Sequence, residues 1–246
     1  MFHVKAVDRR LALRYMNGCS LVLDVGGGQA TDAGIFAVVA RNVVLVEINE
    51  RLLLAGSRFV RREIIREKVD FVLGSATALP LRSSLFDIVT CFSVLDHLPT
   101  KESVIVAIGE FARVVRASGH VTVTFPNKAF LPGTVSMLAR RVFDRDSSLE
   151  RRFTPREMCR FLVSNGLVPN MYDFGTAAYV GPGIKRHNIA GPIRSLPPQV
   201  FNWLSWLVIQ ITNWILSWPC MHVLGPRFGV LCSPRKKRVE SRPEIS

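Results

Sequence analysis

Residues 21–30 constrain the fold of this chain more than any other stretch. They read Leu-Val-Leu-Asp-Val-Gly-Gly-Gly-Gln-Ala: an apolar strand that contains Asp24, then a turn of three glycines, then a helix that opens near Thr31. Glycine lets the backbone turn tightly and lets a ligand approach main-chain N–H groups. This strand–turn–helix unit predicts an α/β fold that binds a ligand at the carboxyl edge of a parallel sheet.

Asp24 indicates the charge of that ligand. A glycine turn that opens a helix favours anions such as a pyrophosphate. Here a carboxylate lies two residues before Gly26, where it repels an anion and suits a cation. The last glycine of Gly-x-Gly-x-x-Gly is also missing, because Thr31 occupies its place. The pattern therefore favours a cationic ligand over a dinucleotide.

Alternating apolar runs predict the remaining elements. Strands are expected near 20–25, 42–47, 69–73, 86–91, 119–125, 168–174 and 227–233, and helices near 30–40, 49–66, 101–116, 134–143 and 155–165. This alternation predicts a doubly wound, mostly parallel sheet of seven strands with helices on both faces. At 246 residues we expect a single domain over 1–233, followed by a basic, disordered tail over 234–246.

Four motifs together resemble the class I S-adenosylmethionine-dependent methyltransferases over residues 18–175. The nearest branch contains the ubiquinone and menaquinone C-methyltransferases and many lipid and small-molecule methyltransferases. Asp-x-Gly-x-Gly-x-Gly is matched with Ala30 in place of the last glycine, and Gly-Asp-Ala-x-x-Leu-Pro is matched with Ser75 in place of the aspartate. The other two matches are Phe86-Asp-Ile-Val with Leu95-Asp-His-Leu, and Arg152-Phe-Thr-Pro-Arg-Glu-Met.

The resemblance implies S-adenosylmethionine as the cofactor and an antiparallel last strand inserted beside the sixth. It also implies roles for particular residues. The methionine end of the cofactor would be bound by Asp24, Gly26, Gly27, Gly28 and Ser93. The ribose hydroxyls would be bound by Glu47, and the adenine would contact Ile48, Ser75, Ala76 and Thr77. Ser75 is equally compatible with a plain turn serine, and no metal is expected.

Asp96 and His97 follow the fourth predicted strand, near the expected methyl position. There an imidazole can take a proton from the acceptor, which makes both residues candidates for catalysis. In the alternative interpretation, Asp96 caps the next helix and His97 packs structurally.

An apolar helical insertion over 181–222 separates the last two predicted strands. Its residues 199–218 carry no charge and include all four tryptophans. Polar residues share one side of the predicted helix, which argues against a lone membrane span. An interfacial helix, a lid over an apolar acceptor, a span and ordinary core packing remain the alternatives.

The formal net charge of +13 bears on the partners. Basic residues flank the apolar stretch, and basic groups favour an anionic bilayer. These features predict a methyltransferase acting on a small apolar or lipid-like acceptor, in the cytoplasm or on the inner face of the membrane. RNA or DNA methylation is the alternative activity, since a positive net charge also favours binding to phosphates. A degenerate cofactor-binding scaffold without enzymatic activity is a third interpretation. The five scattered cysteines fit a reducing compartment, and the oligomeric state stays open.

Overall fold

Seven strands and five α-helices form the part of the chain that the computed structural model describes, residues 6–18, 20–60, 66–128, 153–175 and 227–235. The strands are β1 (Leu21–Val25), β2 (Asn42–Glu47), β3 (Val69–Leu73), β4 (Phe86–Phe92), β5 (Val115–Pro126), β6 (Leu167–Gly175) and β7 (Arg227–Pro234). The helices are α1 (Ala6–Leu13), α2 (Thr31–Val39), α3 (Glu50–Val60), α4 (Lys101–Val114) and α5 (Pro155–Ser164). Arg66–Lys68 and Leu95–His97 form single 3-10 turns.

The strands form one sheet in the order β3-β2-β1-β4-β5-β7-β6. The pairs β1–β2, β1–β4, β2–β3 and β4–β5 are parallel, whereas β7 lies antiparallel between β5 and β6. This arrangement confirms the predicted mostly parallel sheet and its antiparallel last strand. The strands β2 and β3 are added on one side of β1, and the strands from β4 onward are added on its other side. Open α/β sheets bind ligands at such a switch point in strand order.

The hydrophobic core lies on both faces of the sheet because successive strand residues point to opposite faces. In β1, Leu23 and Val25 pack into the cluster that contains Phe111 of α4 and Met158 of α5. Val22 instead joins the cluster on the opposite face, together with Phe36 of α2. Both clusters are almost fully buried, as a doubly wound sheet requires.

Two helix predictions differ from the structure. The sequence analysis missed α1, whose Ala, Leu and Arg residues are good helix formers. The helix predicted over 49–66 is too long: residue 66 already belongs to a 3-10 turn, because the chain must enter the edge strand β3 at Val69.

Several predicted features lie outside the described residues. They are the helix over 134–143, the apolar insertion over 181–222 and the tail beyond residue 235. Among the helices that the structure does describe, none combines the length and apolarity needed to cross a membrane.

Candidate functional site

The glycine turn after β1 is packed tightly on one side and open on the other. Gly26 has a φ of 69° and donates its N–H to the Val46 carbonyl at 2.7 Å. A Cβ at Gly26 would lie 2.3 Å from Val94 Cγ2, and one at Gly27 would lie 2.5 Å from Leu45 Cδ1. Gly28 also has a positive φ, 56°, but a Cβ there would meet nothing within 4 Å. The open side of the turn is therefore the side that a ligand approaches.

Ala30 keeps a glycine-like backbone where the methyltransferase motif has its last glycine. Its φ is 62°, in the left-handed region that costs a non-glycine residue about 1–2 kcal/mol. Ala30 is fully buried and precedes α2. A Cβ at Gly56 of α3 would lie 2.9 Å from the Gln29 carbonyl carbon, so a glycine there lets α3 approach the turn. Tertiary packing therefore stabilises a conformation that the alanine disfavours.

Three buried carboxylates belong to the elements around this turn. Asp24, Glu47 and Asp96 are 2%, 7% and 3% exposed, and they come from β1, β2 and the turn after β4. Thr90 donates its hydroxyl to Asp24 Oδ1 at 2.9 Å. Burial, then the charges of Asp96 and Asp24, raises the pKa of the Cys91 thiol well above its ordinary value. Asp96 and Asp24 therefore both lie close enough to Cys91 to act on its thiol electrostatically.

Glu47 joins the glycine turn to the start of α3. Its Oε2 accepts the Gly28 N–H at 3.0 Å, and its Oε1 accepts the Asn49 N–H at 2.9 Å. A carboxylate has about four acceptor positions, so both oxygens retain capacity for hydroxyl donors. Ile48, the next residue, is 71% exposed and offers an apolar surface at the same edge.

The loop after β3 is a compact turn that contacts β2. Gly74 donates its N–H to the Glu47 carbonyl at 3.0 Å. The Ser75 hydroxyl lies 2.8 Å from the Thr77 hydroxyl and accepts the Thr77 N–H at 3.2 Å. Ala76 is buried in the core. Ser75 thus organises the turn, and its contact with adenine stays a prediction.

The exit of β4 brings a third loop to the site. Ser93 has a φ of 55° and donates its N–H to the Thr124 carbonyl, and the Val94 side chain packs against Gly26. Asp96 does not cap α4, because Thr100 occupies that position and accepts the Ser103 N–H. The His97 side chain is 54% exposed, and its Nε2 lies 3.8 Å from Asp96 Oδ2, which is beyond hydrogen-bond distance.

A pair on α4 that the sequence analysis missed holds the loop after β3 in place. Glu110 Oε2 accepts the Leu79 N–H at 2.7 Å, while Arg113 donates to the Leu79 and Leu81 carbonyls at 3.1 and 2.8 Å. The two side chains also bind each other. The hydrogen bond from Arg113 is the main reason why the pKa of Glu110 is lowered. The i, i+3 spacing of the two residues was the available signal.

The comparisons with known proteins agree with this geometry. The family described as methyltransferase domain matches residues 23–123. A Mycobacterium tuberculosis protein named "Probable S-adenosylmethionine-dependent methyltransferase" is 33% identical over 114 residues, 46% of this chain and 38% of its own length. The ubiquinone biosynthesis O-methyltransferase of Cupriavidus pinatubonensis is 30% identical over 155 residues, 59% of each chain. The chain therefore spans about two to three fifths of the length of these relatives.

A solved structure shows the same fold over most of the chain. The YcgJ protein of Bacillus subtilis superposes with a TM-score of 0.62 at 19% identity, covering 96% of this chain and 100% of its own. Residues 23–123 thus match a family of methyltransferase domains, and the similar Mycobacterium tuberculosis protein is named for S-adenosylmethionine. The site fits that cofactor, because the glycine turn leaves space beside Gly28 and the buried carboxylates suit a sulfonium and an ammonium group.

Proposed function

We propose that this chain is an S-adenosylmethionine-dependent methyltransferase that acts on a small apolar or lipid-like acceptor at a membrane surface. The observation that carries the donor assignment is the glycine turn at the switch point of the sheet, where the buried Glu47 accepts the Gly28 N–H and the buried Asp24 precedes the turn. Opposite charges attract more strongly where water is excluded, so the sulfonium and ammonium groups of S-adenosylmethionine are complementary to these two acids.

Particular residues would hold the donor. Asp24 and the turn at Gly26, Gly27 and Gly28 would bind the methionine end, and Glu47 would accept the ribose hydroxyls while it keeps its two backbone donors. The bound sulfonium supplies an activated methyl group. The protein then mainly has to orient the two reactants, and such positioning accounts for roughly 7–11 kcal/mol of a barrier.

We expect contacts with the acceptor from residues 129–152 and 176–226, two long connections that lie outside the described residues. The 129–152 connection is anchored where Asn127 bridges to Phe153, and the 176–226 connection is anchored where Gly175 pairs with Arg227. All four anchors lie at the carboxyl edge of the sheet, the edge that carries the glycine turn. The longer connection contains the uncharged, tryptophan-rich residues 199–218, which suit an apolar acceptor or a lipid interface.

Asp96 and His97 are the candidates for moving a proton from the acceptor. His97 reaches solvent at the exit of β4, and the buried Asp96 carboxylate lies beside it. If His97 is the base, His97→Ala should lower kcat and remove an ionisation from the pH–rate profile, with donor affinity unchanged. A kcat and a pH–rate profile equal to those of the wild type would show that His97 is not the base.

An untargeted acceptor screen tests the proposed function. The purified full chain is incubated with S-adenosylmethionine and lipid extracts, and mass spectrometry looks for lipids that gain one methyl group. Asp24→Asn, which removes the proposed contact to the cationic donor, serves as the inactive control. A methylated product in the lipid extract that the control lacks would support the proposal. In a parallel incubation with RNA or DNA, methylation of the nucleic acid without any methylated lipid would replace the proposal with the nucleic-acid alternative.

The net charge of +13 is the observation that favours that alternative. Against it, residues 93–96 read Ser-Val-Leu-Asp, where base-amino methyltransferases usually carry an Asn/Asp-Pro-Pro-Tyr/Phe sequence. Fractionation separates the two: release from membranes by detergent supports the lipid acceptor, and salt-sensitive retention on nucleic acid supports the rival.

A further inference from the structure

An open groove of about 950 Å³ runs between α5 and the edge strand β6, away from the glycine turn. We call it the α5–β6 groove. Among its lining residues are Arg156, Arg160 and Val163 of α5, Tyr172 of β6 and Phe228 of β7.

The groove has an apolar floor that is accessible to solvent. Met158 and Leu162 of α5 are fully buried. Arg156, Arg160 and Val163, which are spaced four and three residues apart and so share one side of the helix, line the groove instead. Val163 and Tyr172 are 42% and 49% exposed, and Tyr172 stacks on the buried Phe228 at 5.6 Å between ring centroids. A contiguous apolar surface that is exposed to solvent often marks an interaction site.

Two cations on successive turns of α5 border this floor. Arg156 and Arg160 are exposed, and neither forms an ion pair with any residue that the structure describes. Glu157, the acid between them, is paired with Lys101 instead. Two guanidinium groups beside an apolar strip are complementary to a phosphate that carries an apolar chain.

We propose that the α5–β6 groove docks on an anionic phospholipid of the membrane surface. The phosphate binds Arg156 and Arg160, and the adjoining acyl region contacts Val163 and Tyr172, whose phenol suits the boundary between water and lipid. This inference rests on the membrane-surface part of the proposed function.

Vesicle binding tests the charged side of the groove. The full chain is floated with vesicles of phosphatidylcholine alone or mixed with phosphatidylglycerol. Arg156→Gln/Arg160→Gln should weaken binding to the anionic vesicles roughly 30-fold, from the usual contribution of two basic groups. Arg51→Gln/Arg58→Gln, which removes two exposed charges from α3, should change it less than about 3-fold. Equal loss in both variants, or equal wild-type binding to both vesicle types, would overturn the proposal.

A second pair of variants tests the apolar side. Val163→Asn should weaken vesicle binding several-fold, whereas Val106→Asn on the exposed face of α4 should leave it unchanged. Millimolar glycerol phosphate should not displace the protein, because it lacks the acyl region; displacement would show a site for free phosphate. Calorimetric affinity for S-adenosylmethionine should be the same in all four variants, so loss of vesicle binding with intact donor binding separates this inference from a failure of the methyltransferase assignment.

Discussion

Each glycine of the turn is required for a different physical reason. Gly26 combines a left-handed backbone with contact against Val94, Gly27 is confined by Leu45, and Gly28 faces open space. The sequence pattern predicts the turn but does not separate these roles, because Val94 and Leu45 reach it only through the folded sheet.

Alanine substitutions separate the fold from the site at this turn. Gly26→Ala should lose about 1–2 kcal/mol from its left-handed backbone and about 1–3 kcal/mol more from overpacking against Val94. Gly28→Ala should lose only the backbone contribution, but its methyl group enters the ligand side and lowers donor affinity. Urea unfolding and calorimetry measure the two effects. Adding Val94→Ala should restore part of the stability of Gly26→Ala; equal destabilisation of the two single variants would contradict this account.

Glu47 is the second residue whose role can be isolated. Glu47→Gln removes the charge and turns an amide N–H₂ group toward a backbone donor, so S-adenosylmethionine affinity should fall roughly 10- to 100-fold, as expected for losing a charged hydrogen bond. Isothermal titration calorimetry measures the change, and Glu50→Gln at the exposed start of α3 is the matched control. An affinity equal to that of the control would place Glu47 outside the site.

At the scale of elements, the parallel strands brought the predicted residues together. The loops after β1, β2 and β3 are joined through Gly28–Glu47 and Gly74–Glu47 hydrogen bonds, and the exit of β4 meets Gly26. Apolar runs were sufficient to predict the strands, since burial on both faces demands them. The Glu110–Arg113 clamp was not predicted, because its partners are backbone atoms about 30 residues away.

The clamp should make stability depend on pH in the acidic range. The pKa of Glu110 is lowered in the folded chain, so its contribution is complete above the unfolded pKa, about 4.5, and is lost as pH falls through the lowered value. Glu110→Gln should therefore have a lower Tm than the wild type at pH 7, and the difference should shrink below pH 4.5. Thermal unfolding across pH 3.5–7 measures it. Arg113→Gln should reduce the wild-type pH dependence likewise; a Glu110→Gln deficit that is constant with pH would refute the clamp.

At the scale of the whole molecule, α1 ties the N-terminal residues to the region of the glycine turn. Arg9 donates to Asp32 in the first turn of α2, directly after the glycine turn, and both side chains are buried. Tyr15, just beyond α1, stacks on His120 of β5 at 4.2 Å between ring centroids. Burial lowers the pKa of His120, which favours its neutral form in this contact.

Breaking this ion pair should destabilise the fold strongly. Arg9→Met leaves Asp32 buried without its guanidinium partner, and such losses cost about 3–5 kcal/mol. Arg9→Met/Asp32→Asn should recover part of that loss. Lys101→Met, which breaks the more exposed pair with Glu157, should cost less than about 1 kcal/mol. Urea unfolding of the wild type, these three variants and Asp32→Asn alone measures these values, and strictly additive effects of the Arg9 and Asp32 substitutions would show that the pair is not coupled.

The sequence by itself determined the doubly wound sheet and the position of its glycine turn, because apolar periodicity specifies strands, and an acid beside consecutive glycines specifies a turn for a cationic ligand. The antiparallel last strand and S-adenosylmethionine were implied by the resemblance of four motifs to the methyltransferases. Only the tertiary structure decided that Ala30 keeps a left-handed backbone, that Asp96 is buried beside an exposed His97, and that α4 clamps the loop after β3. Those outcomes depend on packing and hydrogen bonds between residues far apart in the chain, which no local pattern encodes.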